Sequence, residues 1–255
     1  PVLAAKSPSD CFDTALEACR IAVTYRTPVI MLSDGYLGNG AEPWKVPDLA
    51  EIPRIDPNFA TEPNSSAADG SPRFMPYHRD PETLARPWAL PGTKGLEHRI
   101  GGLEKSARTG AISYDPSNHE GMVATRAAKV KGIAKTIPLT VVDDPSGDAD
   151  VLVLGWGSTY GPITAAVRRV RARGLSIAQA HVRHLNPLPE DLGKILHRYR
   201  RVVVPEMNTG QFAMLLRSTY LINIKTISRV RGLPISPVDL CEELCQYCND
   251  ETKEA

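Results

Sequence analysis

Val151-Leu152-Val153-Leu154-Gly155-Trp156-Gly157-Ser158-Thr159-Tyr160-Gly161 is the stretch on which the fold turns. Four consecutive apolar residues without polar alternation describe a strand covered on both faces. Glycines follow where the chain must turn. From Pro162 to Arg173 the period becomes helical, with Ile163, Val167 and Val170 on one side and Arg168, Arg169, Arg171 and Arg173 opposite. A buried strand, a glycine turn and an amphipathic helix form a βα unit, which predicts an α/β domain.

Downstream the alternation continues, with strands expected over 176–184, 202–204 and 225–230 and helices over 190–200, 209–221 and 237–248. This is a parallel or mostly parallel sheet with helices packed on it, about 100 residues long. Within 176–184, Ala178, Ala180 and Val182 face one way, and Gln179, His181 and Arg183 the other. A strand polar on one face lies at a sheet edge or against another subunit. Glu206 and Asn208, at the end of the third strand, are placed to cap the next helix or to touch a subunit. Ser236-Pro237-Val238-Asp239 starts the last helix, which puts Cys241, Cys245 and Cys248 on one helical stripe. Their spacing matches a cluster-binding motif, yet a stripe is poorly shaped to surround a cluster.

Upstream, Asp143 to Asp148 reads as a linker. From Glu42 to Pro138 lie twelve of the chain's 22 prolines, with Trp44, Phe74, Tyr77 and Trp88 scattered without period. Such a segment is expected to drape its aromatics over another surface, with 61–71 its most mobile part. Asp115-Pro116 caps a helix reaching Lys131, and His98 and His119 read as surface or capping histidines. A helix from Pro8 to Tyr25 is expected to bury Phe12, Leu16, Cys19 and Val23. It feeds the apolar run Val29–Leu32, read as a buried strand needing neighbours that no earlier segment supplies. That strand delivers Ser33, Asp34, Gly35 and Tyr36 to its carboxyl end, where ligands and subunits sit in parallel sheets. With Pro1 as first residue, the expectation is the carboxyl-terminal part of a larger polypeptide, or a processed subunit.

Thirty basic and 29 acidic residues leave no whole-chain charge asking for nucleic acid or an anionic membrane. The arginines of 168–173 form either a solvated face or a docking surface for an acidic protein. No apolar run approaches a membrane span, and no signal-peptide pattern is present. Five cysteines suit reduced thiols, and cytoplasm is the expected compartment.

Gly155 to Gly161 spells GxGxxxG, not the dinucleotide fingerprint GxGxxG, so the turn reads as tight packing or as a nucleotide module. There is no GxSxG, HExxH or P-loop. By its residues alone the chain lacks an autonomous active site.

In this order, TPVIMLSDGYLGNGAEPWKVP, KGLEH, ISYDPSNHEGMVATRAAKV, VLVLGWGSTYGPITAAVRRVRARG, AHVRHLNPLP and VVVPEMNTGQFAMLLR resemble alpha subunits of the 2-oxoacid:ferredoxin oxidoreductase family, in its 2-oxoglutarate branch. The resemblance implies that 1–47 end a thiamine-pyrimidine-binding domain, 48–147 are an extended proline-rich segment and linker, 148–245 are a transketolase C-terminal-like domain, and 246–255 a tail. It implies thiamine diphosphate with Mg2+ and a [4Fe-4S] cluster, held mainly by a partner beta subunit, and coenzyme A as a substrate. A second alpha subunit and ferredoxin are the further partners. The implied reaction is oxidative decarboxylation of a 2-oxo acid, with 2-oxoglutarate favoured over pyruvate and branched-chain acids; a non-catalytic assembly subunit is the alternative. No catalytic or metal-binding residue carries over. The interface or pocket-proximal candidates are Ser33, Asp34, Gly35, Tyr36, Gly157, Ser158, Arg183, Glu206 and Asn208.

Overall fold

The structure, a computed structural model, describes residues 1–249; the last six residues of the expected tail lie outside the described part. In chain order the elements are β1 (Val2–Ala4), α1 (Asp10–Tyr25), β2 (Ile30–Leu32), α2 (Gly35–Asn39), β3 (Ser65–Ser66), β4 (Pro72–Arg73), α3 (Pro116–Gly132), β5 (Val142–Asp143) and β6 (Val151–Trp156). There follow α4 (Tyr160–Ala172), β7 (Ala178–Val182), β8 (His184–Asn186), α5 (Leu192–Leu196), β9 (Arg201–Glu206), α6 (Gln211–Tyr220), β10 (Ile224–Ser228) and α7 (Pro237–Asn249). The chain divides into two compact units.

The larger unit comprises 2–16, 30–46 and 137 onward. Its main sheet has the order β10-β9-β6-β7-β5, with the first four strands parallel and β5 antiparallel at one edge. The alternation in VLVL explains the layering. Val151 and Val153 pack with α4 and α7, while Leu152 and Leu154 pack with α5 and α6. Each such side chain contributes roughly 1.5–3 kcal/mol on burial. From β6 the chain goes to β7 on one side and then to β9 on the other, so strand order reverses between β6 and β9. The carboxyl ends of strands beside such a switch point form a natural crevice.

A second sheet of the same unit has the order β2-β1-β8. Here the sequence reading is corrected. The strand at 30–32 does have an earlier neighbour, because Val2–Ala4 pairs with it in parallel, and β8 closes the other side of β1 antiparallel. Three residues are too few to show a period. Among the described residues β2 is the edge strand of this sheet, and Ile30 is 59% exposed. The strand expected over 176–184 breaks at Arg183, whose carbonyl accepts from the Ala4 N–H at 2.9 Å, and the chain passes into the second sheet as β8. The helix expected over 190–200 shrinks to α5, since the amides of Arg198 and Tyr199 bond three residues back as tight turns. β7 is not at the edge, because β5 lies beyond it, and Gln179 is satisfied by Thr164 at 2.7 Å.

The smaller unit takes 17–29 and 47–136, with Pro1. α3 is capped as expected, with the Ser117 N–H donating to Asp115 at 2.9 Å. The segment 61–71 contributes β3, which pairs antiparallel with the adjoining β4 at Pro72–Arg73. The aromatics of the proline-rich stretch find partners within their own unit: Phe74 is buried against His98, with ring centres 4.9 Å apart, and Trp88 stacks on Phe59 at 6.4 Å. His119 bonds Glu104 at 2.7 Å, and this bond is the largest of the causes holding the Glu104 carboxyl down at about 2. Helix α1 buries Asp10, Thr14, Ile21 and Tyr25 rather than the expected stripe, and Cys19 is exposed. Two polar residues bonded to each other, Thr14 to Asp10 at 3.2 Å, hide the buried face from an apolar pattern.

Candidate functional site

At the carboxyl ends of β6, β9 and β2, within the larger unit, lies a cavity of about 850 Å³. Its walls include Ser33, Asp34, Gly35 and Tyr36 from the β2–α2 turn, Gly157 and Ser158 after β6, and Asn208 after β9. Seven of the nine candidates thus come together. Asp34 caps α2, accepting from the Leu37 N–H at 2.9 Å, and its other carboxylate oxygen accepts from the Ser158 hydroxyl. Asn208 accepts from the Gly210 N–H at 2.7 Å, at a turn where Gly210 takes φ +92°. Tyr36 remains half exposed.

The turn that carries Ser158 needs its glycines. Gly157 has φ +57°, and a Cβ on Gly155 would stand 2.7 Å from Ile163 Cδ1 and 3.0 Å from His181 Nδ1. Close packing accounts for Gly155 and the left-handed backbone for Gly157, in line with the tight-turn reading, whereas a Cβ on Gly161 would meet open space.

Glu206 and Arg183 are placed elsewhere. Glu206 is fully buried, where it accepts from the amides of Phe212 and Ala213, both at 3.0 Å, and from Trp156 Nε1 at 3.3 Å. It satisfies the first amides of α6 and fixes the indole that walls the cavity. Arg183 pairs with Asp10 and lines two other clefts, together with Lys6 and Tyr160. Nearby, the ring of His181 meets Tyr160 edge-on at 5.1 Å, and both its nitrogens are closed off from solvent without a partner. Burial, with Lys6 and Arg183 adding to it and Asp10 opposing, pushes its pKa down to about 3.

The helical arginines divide. Arg171 bonds Asp143 at 2.8 Å and the Ile177 carbonyl, and Arg173 pairs with Glu242, so both tie elements together. Arg168 and Arg169 are exposed. On α7, Cys241 and Cys245 are buried in the core, and burial, with Cys245 adding, pushes the Cys248 thiol up to about 11. Among the described residues no three His, Cys, Asp or Glu side chains are grouped to hold a metal ion, and no helix is long and apolar enough to cross a membrane.

The cavity wall contains no lysine or arginine and a single carboxylate, alongside Leu32, Tyr36, Trp156, Met207 and Leu233. That lining does not fit a diphosphate or its accompanying cation. It suits an uncharged, largely apolar group with a few hydrogen-bonding atoms. Trp156, Met207 and the Gly232-Leu233-Pro234 loop are contributors that the candidate set omits. The glycine–proline punctuation after β10 is the signal that marks that loop as a turn.

Residues 1–113 match the family model described as pyruvate flavodoxin/ferredoxin oxidoreductase, thiamine diphosphate-binding, and residues 149–240 match pyruvate:ferredoxin oxidoreductase core domain II. The 2-oxoglutarate oxidoreductase subunit KorA of Mycobacterium tuberculosis is 55% identical over 91% of this chain. The chain belongs to the 2-oxoacid:ferredoxin oxidoreductase family. Another member, the alpha subunit of 2-oxoacid:ferredoxin oxidoreductase 1 of Aeropyrum pernix, is 30% identical over 91% of the chain. The solved 2-oxoglutarate:ferredoxin oxidoreductase of Magnetococcus marinus, with 2-oxoglutarate, coenzyme A and succinyl-CoA bound, superposes on 97% of the chain with a TM-score of 0.82 and 29% identity. The chain spans 34% and 36% of the lengths of the two sequence relatives and 42% of the solved chain. Membership in this oxidoreductase family agrees with the α/β class and with a thiamine diphosphate-binding domain over 1–113.

Proposed function

We propose that this chain supplies alpha-subunit domains of a thiamine-dependent 2-oxoglutarate:ferredoxin oxidoreductase, which converts 2-oxoglutarate and coenzyme A to succinyl-CoA and CO2 and passes electrons to ferredoxin. The observation that carries the reading is the 55% identity to a 2-oxoglutarate oxidoreductase subunit over 91% of the chain.

In this reading thiamine diphosphate supplies the carbanion chemistry of decarboxylation. The partner beta subunit holds the diphosphate, its Mg2+ and a [4Fe-4S] cluster, in keeping with a cavity wall that has no cations. This chain's share is shape and exclusion of water. The Ser33–Tyr36 turn and Gly157–Ser158 form the polar lips of an otherwise mostly apolar wall, and Asp34, engaged by Leu37 and Ser158, ties the two lips together. A second alpha subunit completes the assembly, and the free cysteines suit a cytoplasmic setting.

The test is turnover by the complex purified from its source, with 2-oxoglutarate, pyruvate and 2-oxoisovalerate compared for coenzyme A-dependent reduction of ferredoxin. A kcat/KM for 2-oxoglutarate at least about tenfold above the others is expected, a difference of about 1.4 kcal/mol in transition-state binding. Equal turnover of pyruvate would overturn the substrate assignment.

A further inference from the structure

Within the smaller unit, four cations gather without an ion-pair partner among the described residues. The Arg26 guanidinium carbon lies 4.3 Å from the centre of the Trp88 ring. Arg79 and Arg86 share one ring, that of Tyr77, at 5.2 and 5.6 Å. Lys129, on α3, is the fourth. Burial, followed by the charges of Arg79, Arg86 and Arg26, pushes its ammonium pKa down to about 8.

None of the four makes an ion pair among the described residues. Arg26 donates to the backbone carbonyls of Val23, Pro57 and Asn58, and Arg79 reaches only the Met122 sulfur, at 3.7 Å. The Nε atoms of both are buried and unpartnered. The carboxylates whose charge they feel are occupied elsewhere: Asp56 accepts from the Asn58 amide at 2.8 Å, and Glu104 binds His119 at 2.7 Å and Arg126 at 3.5 Å.

Holding like charges together while partly desolvating them is unfavourable, and each ring face returns only about 0.5–2 kcal/mol. A single carboxylate would leave most of the charge unbalanced. A phosphate or diphosphate carries several charges and offers the oxygen pairs that guanidinium forks grip. We propose that Arg26, Arg79, Arg86 and Lys129 form a binding site for a phosphate-bearing anion, with Tyr77 and Trp88 holding the guanidiniums in place before it arrives.

Two sources share this chemistry, a nucleotide-bearing thiol such as coenzyme A and free diphosphate. The test is calorimetric titration of the full chain with sodium diphosphate, AMP, coenzyme A and 3′-dephospho-coenzyme A, with Lys129 labelling by acetic anhydride read by peptide mass spectrometry. We expect saturable binding of at least one probe, with Lys129 labelling reduced severalfold as the bound anion keeps it protonated. R86Q and K129Q each weaken binding by about tenfold or more, whereas R73Q, on the exposed β4 strand, leaves it unchanged. Coenzyme A binding more tightly than its dephospho form by about tenfold assigns the nucleotide thiol as source; equal binding of diphosphate and coenzyme A assigns the diphosphate group alone. Arg26 is left intact because it ties the end of α1 to carbonyls. Absence of saturable binding by all four probes, or binding untouched in a folded R86Q/K129Q double variant, overturns the site. Binding is read without turnover, so this outcome is separate from the fate of the oxo-acid reading.

Discussion

The Ser158 hydroxyl donates to the Asp34 carboxylate across 124 residues of chain, joining the turn after β2 to the turn after β6. Because the other Asp34 oxygen caps α2, one side chain sets both lips of the cavity. Asp34→Ala removes cap and cross-link together and is expected to cost about 1–3 kcal/mol; Ser158→Ala removes only the link, at about 1 kcal/mol. Urea unfolding of both single variants and the double measures this. The double variant should match Asp34→Ala, and additive losses would show that the two side chains act independently.

Glu206 offers a second prediction. Glu206→Ala leaves two helix amides and the Trp156 indole N–H without their buried acceptor, and is expected to cost about 3 kcal/mol or more. Trp156 emission should shift as the indole loses its anchor. A loss below about 0.5 kcal/mol, with emission unchanged, would mean that water replaces the carboxylate.

His181 makes stability depend on pH. Its folded pKa, about 3, lies below the ordinary value near 6.5, so the unfolded chain binds a proton that the native ring refuses. The contribution is fully present above about pH 6.5 and is lost as pH falls toward about 3, at up to roughly 1.4 kcal/mol per pH unit. His181→Gln should flatten the fall in urea midpoint between about pH 7 and pH 5. Parallel slopes for variant and parent would assign the acid sensitivity to groups other than His181.

The strand–turn–helix run from Val151 to Ala172 was legible because both periods are uninterrupted, and the Asp115-Pro116 cap because its chemistry is local. The cavity was half legible. Each lip ends a strand in a run of small polar residues, yet nothing in the sequence joins Asp34 to Ser158 across so long a separation. Asp10 and Thr14 look like a solvated face but bury each other. Arg183 reads as one more strand residue, although its carbonyl starts the departure into a second sheet. Arg26, Arg79, Arg86 and Lys129 follow no spacing at all, being collected by turns and ring contacts rather than by one element.

Pairing between Val2–Ala4 and His184–Asn186 also has a consequence in time. The pairing of Val2–Ala4 with His184–Asn186 can form only after residue 186 has left the ribosome, and contacts of such long separation are slow to close. The flank of β1 that His184–Asn186 covers is therefore completed late, by a strand synthesised some 180 positions after its partner.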